Sequence, residues 1–105
     1  MSAPQIDPVL HPPARLQIAA ALARVDDIEF ATLRDIIGVS DSVLSKHLSA
    51  LAEAGYVKLT KAKAEGRQRT WASFTRTGGK AFAEHLAALR ALVESAGEAA
   101  AEAAE

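Results

Sequence analysis

Apolar residues recur along this chain at helical spacing, switch once to alternation, and return to helical spacing, and those switches outline the elements. Leu16, Ile18, Leu22 and Val25 form a broad apolar face on a first helix from about Pro13 to Arg24. Pro13 suits the first turn, where its missing N–H costs nothing. Asp26-Asp27 breaks this helix, and Ile28 and Phe30 either make a very short strand or lead directly into the next helix. A second helix over about Ala31–Ile37 turns Leu33, Ile36 and Ile37 inward. Gly38 fits the left-handed position that ends helices, and Ser40 or Asp41 fits an N-cap. A third helix then runs to Ala54 with Leu44, Leu48 and Leu51 inward and Gly55 as its stop.

Val57 and Leu59 alternate with Lys58 and Thr60, which predicts a strand. A turn at Glu65-Gly66 brings the chain back through Thr70–Phe74 as a two-stranded hairpin. Thr75 is placed to cap a fourth helix, although Gly78-Gly79 weakens its first turns by roughly 1 kcal/mol per glycine. Phe82, Leu86, Leu89 and Val93 form the stripe of that helix to about Ser95. The expected fold is mainly α with a small β-hairpin. Its order is that of a winged helix-turn-helix with a C-terminal dimerisation helix. Residues 1–12 read as an N-terminal arm, 13–95 as the domain with its last helix at about 75–95, and 96–105 as a low-complexity tail that extends the helix or frays.

Composition sharpens this picture in three ways. Alanine supplies much of the apolar half of the 105 residues, so helix propensity is high and the core is thin. A thin core favours completion by a second subunit. The stripe of the last helix and the arm residues Ile6, Val9 and Leu10 are therefore expected to form a homodimer seam with Phe82, Leu86, Leu89 and Val93. There is no cysteine, which excludes disulfides and thiolate metal sites. The start of the chain lacks the basic segment and apolar run of a secretion signal, and the apolar stretches are too short for a membrane span. A cytoplasmic protein is expected. Finally, the net charge of −1 hides a division: residues 40–70 carry six cations against three anions, while the segments on either side are acidic. A basic strip between acidic ends orients a protein on a polyanion.

The candidate chemistry lies in that strip. Ser42, Ser45, Lys46 and Ser49 share the outward side of helix three, where small hydroxyls and one lysine can approach base edges and phosphates. Asp41 reads as a cap, since a carboxylate near phosphate repels. Lys61, Lys63, Arg67 and Arg69 on the hairpin can grip the backbone or reach a minor groove. Trp71 is expected to pack the hairpin on the core, Arg15 to make a structural ion pair, His11 to anchor the arm and His85 to sit at the dimer seam. No serine has a base and an orienting partner nearby, so no catalytic residue is expected and the chain does not read as an enzyme. The three histidines are far apart in sequence, and neither a metal nor a cofactor is called for.

Several strings are also familiar. Pro13-Ala14-Arg15-Leu16-Gln17-Ile18 looks like an opening of helix one, and Leu44 to Val57 like a recognition helix and its exit strand. Gly66-Arg67-Gln68-Arg69-Thr70-Trp71 and Phe74-Thr75-Arg76-Thr77-Gly78 look like a wing and the start of a last helix. Together, in this order, they make the chain resemble the small winged-helix transcriptional regulators of the MarR/ArsR type, especially the compact single-domain branch. The resemblance covers about Asp7 to Val93. It departs where Phe74 replaces a usual leucine and where Gly79 stands in place of a basic residue. It implies a regulator of double-stranded DNA, expected to be a bacterial repressor on an inverted-repeat operator. The alternatives are a winged-helix module that binds another protein, and a ligand-responsive regulator holding an unidentified small-molecule effector at the dimer seam.

Overall fold

A computed structural model describes residues 5–104, in the order α1 (Pro13–Leu22), β1 (Ile28–Glu29), α2 (Phe30–Ile37), α3 (Asp41–Glu53), β2 (Val57–Ala64), β3 (Arg67–Phe74) and α4 (Arg76–Ala104). The short strand alternative at Ile28 is the one realised. It pairs antiparallel with β3, Ile28 opposite Ala72 and Glu29 opposite Trp71, so β3 lies central in a three-stranded sheet. The hairpin is longer than alternation indicated, and its register runs unbroken from Val57 opposite Phe74 to Ala64 opposite Arg67. Glu65 (φ 52°) and Gly66 (φ 78°) are both left-handed, the backbone of a two-residue turn whose twist matches the strands it joins.

The turn between α2 and α3 forms where expected. Gly38 (φ 77°) ends α2, and the Ser40 hydroxyl accepts from the Val43 amide at 3.2 Å as the cap of α3. Asp41 is not the cap; its carboxylate accepts from Arg34 at 2.8 Å. Thr75 joins two elements. Its hydroxyl accepts from the Gly78 amide at 2.9 Å, opening α4, and donates to the Gly55 carbonyl at 2.6 Å, closing the segment after α3.

Leu10, Ile18, Leu22, Leu33, Leu44, Leu48, Leu51, Val57, Ala72 and Phe82 fill one core beneath the sheet. Two of the expected seam residues, Leu10 and Phe82, are thus buried inside the protomer, and Val9 and Leu86 pack against the same core. The thin core takes these side chains for itself. Ile36, expected inward, is 60% exposed, because α2 meets the body through Phe30, Leu33 and Ile37. Trp71 is not a core contact either. It lies on the outer face of the sheet, opposite Thr60 and half-buried beside Asp27.

Helix α4 does not stop near Ser95. Its alanine-rich tail continues it to Ala104, as expected of the residue with the highest helix propensity. At 1.5 Å per residue it is about 43 Å long, and it gives the molecule its 62 Å long axis. Beyond Ala88 and Leu89 every described residue of α4 is exposed, including Leu92 at 56% and Val93 at 67%.

The arm is folded down rather than trailing. Asp7 holds it: its amide donates to His85 Nδ1 (2.9 Å), and its carboxylate accepts from the Tyr56 hydroxyl (2.6 Å) and the Val9 amide (2.8 Å). His85 is therefore wholly buried within the protomer instead of lying at a seam. Arg15 makes no ion pair with any described residue; it donates to His47 Nδ1 and to the Val9 carbonyl, both at 3.2 Å.

Candidate nucleic-acid interface

Positions 42, 45, 46 and 49 fall within one stripe of a helix, since residues three, four and seven apart lie above one another. Leu44, Leu48 and Leu51 anchor the opposite side of α3 in the core. Burial of that side leaves Ser42, Ser45, Lys46 and Ser49 all exposed. Ser42 Oγ lies 3.3 Å from Ser40 Oγ, so this hydroxyl also supports the cap. Ser45, Lys46 and Ser49 have no side-chain partner among the described residues and face solvent.

The hairpin stands beside this stripe. Ser45 and Ser49 share a shallow cleft with Phe30, Leu48, Leu59 and Thr70, which places Leu59 and Thr70 on the α3 side of the sheet. Side chains alternate between faces along a strand. With the register fixed, Lys61 (opposite Thr70) and Lys63 (opposite Gln68) continue the same face outward. The α3 stripe and the two wing lysines therefore border one concave surface. Gln68 belongs to it as well. Its place is not legible in the sequence, because alternation can be assigned to a face only once the register is known.

The two arginines take the other face. Arg67 (opposite Ala64) and Arg69 (opposite Ala62) alternate with Gln68 and point away from the α3 side. Arg67 is exposed next to the turn. Arg69 is committed elsewhere. Its Nη1 donates to Glu29 Oε1 at 2.6 Å, and Nη2 lies 3.8 Å from Glu65. The bond to Glu29, then the Coulombic attraction of that carboxylate, hold the guanidinium charged. Arg69 ties the hairpin to β1 and is not part of the open cationic surface. Its Nε is buried without a partner among the described residues, another mark of a group used for packing. By contrast, Lys46, Lys61, Lys63 and Arg67 have no ion pair with any described residue, so their charge is unneutralised.

What this surface can do follows from its parts. Small hydroxyls on a protruding helix admit close approach to base edges, and flanking cations with no internal counter-ion attract phosphate. Among the described residues no three His, Asp or Glu side chains converge as a metal site needs, and no helix is long and apolar enough to cross a membrane. A separate hollow lined by Gln17, Ala20, Arg24, Val25, Ile36 and neighbours lies between α1 and α2 and shares no residue with this surface.

Comparison with known proteins agrees with this geometry. Residues 14–93 match the family described as winged helix DNA-binding domain. An uncharacterized protein of Methanocaldococcus jannaschii is 32% identical over 72 residues, covering 69% of this chain and 78% of that protein. Among solved structures, a transcriptional regulator homologue from Pyrococcus horikoshii superposes with a TM-score of 0.78 at 26% identity, covering 83% of this chain and 86% of that one. A MarR family transcriptional regulator from Silicibacter pomeroyi shares the fold with a TM-score of 0.65 at 23% identity, covering 81% of this chain and 56% of its own.

Proposed function

The chain belongs to the winged-helix DNA-binding domain family, and from that premise we propose that it is a DNA-binding transcriptional regulator, a homodimeric repressor acting on an inverted-repeat operator. The observation that carries this reading is the shared surface of α3 and the wing. There the exposed Ser42, Ser45, Lys46 and Ser49 stand beside Lys61 and Lys63, cations with no partner among the described residues. In this reading α3 enters the major groove, Ser45 and Ser49 meet base edges, and the wing lysines and Arg67 hold the flanking phosphates.

Dimerisation is supported by the projecting half of α4. Leu92 and Val93, beyond the half-buried Leu89, follow one side of a helix that the protomer itself does not cover, and Ile6 of the arm is 36% exposed. Leu92 lies outside the seam expected from sequence; it joins Leu89 at i+3. A twofold dimer presents two α3 helices to half-sites whose centres lie about 34–36 Å apart, one turn of duplex.

Footprinting of purified protein on genomic duplex tests the proposal. The expected result is protection of sites with twofold symmetry at one-turn spacing, with Ser45→Ala and Ser49→Ala lowering the ratio of operator to random-DNA affinity. Protection that lacks symmetry removes the dimer. Absence of any duplex binding favours the alternative of a module that docks another protein.

A further inference from the structure

Two of the three histidines, His11 and His85, meet where the N-terminal arm is folded down, and the third, His47, reaches the arm through Arg15. His85, at the inner side of α4, accepts at Nδ1 from the Asp7 amide (2.9 Å). His11 of the arm packs its ring edge-on against His85, with centroids 5.7 Å apart. His47 of α3 accepts at Nδ1 from Arg15 Nε (3.2 Å), and the same guanidinium holds the Val9 carbonyl of the arm (3.2 Å). Neither donor is negotiable. A backbone amide and a guanidinium only donate, so both imidazoles must present an unprotonated Nδ1 for the arm to stay down.

We propose that residues 5–11 form a strap held closed by two neutral histidines, His85 and His47, and released when they are protonated. A proton on Nδ1 sets N–H against N–H at the Asp7 contact, and at the Arg15 contact it sets a cation against a cation. Protonation thus breaks both bonds. The other ring nitrogen offers no compensating bond, because Nε2 is buried with no partner among the described residues.

The surroundings determine the direction. Around His85 stand His11 and Asp7 from the arm, with Tyr56, in the turn after α3, reached through Asp7; Glu84 of α4 acts on Tyr56. Burial pushes the His85 imidazole below its ordinary value of 6.5 and His11 pushes the same way, while Asp7 pulls upward. The Asp7 carboxylate is already bonded to Tyr56 and the Val9 amide, and it does not face Nδ1 directly. Around His47 stand Arg15 from α1 and Lys46 from its own helix. Burial first, then these two cations, push His47 down as well. Release of the strap uncovers Leu10, which is otherwise wholly buried, and removes the Asp7 link between His85 of α4 and Tyr56, leaving the Thr75 bonds in place. The strap does not depend on the reading of DNA binding.

Amide hydrogen-exchange protection in the full chain, followed by NMR with the imidazole titrations in the same samples, tests this. Between pH 7.5 and 5 the protection factors of Asp7, Leu10 and His11 should fall several-fold, in step with protonation of His85 and His47. Protection of Leu48 in the core should fall less, only as far as global stability does. In His85→Asn with His47→Asn, the amide oxygen accepts where Nδ1 did and does not titrate, so the strap should stay protected throughout. The proposal is overturned if the arm stays protected while both imidazoles titrate. It is equally overturned if Leu48 loses as much protection as the arm, or if the double variant opens like wild type. The wild-type measurements alone suffice should the variant not fold.

Discussion

Gly78, in the first turn of α4, lies against the backbone of Tyr56 so closely that a Cβ there would fall on the Tyr56 carbonyl. The same stretch is sewn by the Thr75 amide, which donates to that carbonyl at 3.0 Å. By propensity alone Gly78 and Gly79 are equally weak helix residues, but their surroundings differ. Gly78 is the point where α4 crosses the exit of α3, and Gly79 faces open space. Gly78→Ala should therefore cost about 1–3 kcal/mol, the range of overpacking against a neighbour that cannot move aside. Gly79→Ala should instead gain about 0.5–1 kcal/mol by raising helix propensity. Thermal or urea unfolding of the two variants checks both signs; equal effects would mean that the crossing is looser than the geometry implies.

The projecting half of α4 predicts where a dimer breaks. Leu92→Glu, like Leu89→Glu, should yield monomer by light scattering while helix content by circular dichroism stays high. Phe82→Glu should instead unfold the protomer, because that ring is in the core. Wild-type protein that stays monomeric at about 50 μM, a concentration where a dimer held at about −8 kcal/mol would assemble, would remove α4 as a seam.

The wing cations predict a split in salt dependence. Replacing Lys61 or Lys63 by alanine should reduce the slope of log K against log salt by about 0.9 for every phosphate that the lysine neutralises. Arg69→Ala should leave that slope nearly unchanged, because its charge is spent on Glu29. Its effect should appear instead as faster exchange of hairpin amides near the Glu65-Gly66 turn. An Arg69→Ala slope change as large as that of Lys61→Ala would return Arg69 to the DNA surface.

Stability should fall on mild acidification. His85 and His47 both titrate below the ordinary 6.5 in the folded chain, chiefly because burial disfavours the charged ring. The unfolded chain thus takes up protons first, and unfolding is favoured as pH falls. The contribution is complete above pH 6.5 and is lost progressively as pH drops through the lowered folded values. Melting temperature measured from pH 7.5 to 5 should decline, with a shallower decline in His85→Asn with His47→Asn. A melting temperature that is flat or rises over this window contradicts the assigned directions.

Much of the local structure was legible in the residues themselves, though not the full length of the hairpin or of α4. The three-and-four spacing of Leu44, Leu48 and Leu51 determined both that α3 is a helix and which side of it faces out. Gly38 as a stop and Glu65-Gly66 as a turn each act within a few residues, whereas sequence alone left Ser40 and Asp41 both open as the cap. The exposed stripe of Ser45, Lys46 and Ser49 follows from the same local rule. Tertiary structure decided which surfaces met. Periodicity marked Leu10 and Phe82 as apolar, but it could not say whether a second subunit or this protomer would cover them. It marked Ile36 as belonging to an apolar face that the body then left uncovered. Arg69 looked like its neighbours until β1 brought Glu29 beside it, 40 residues away in sequence. Asp7 and His85 are 78 residues apart. A side chain's spacing carries its direction from its own backbone, whereas its partner depends on how separate elements pack. That is settled by the competition of all the apolar faces for one small core.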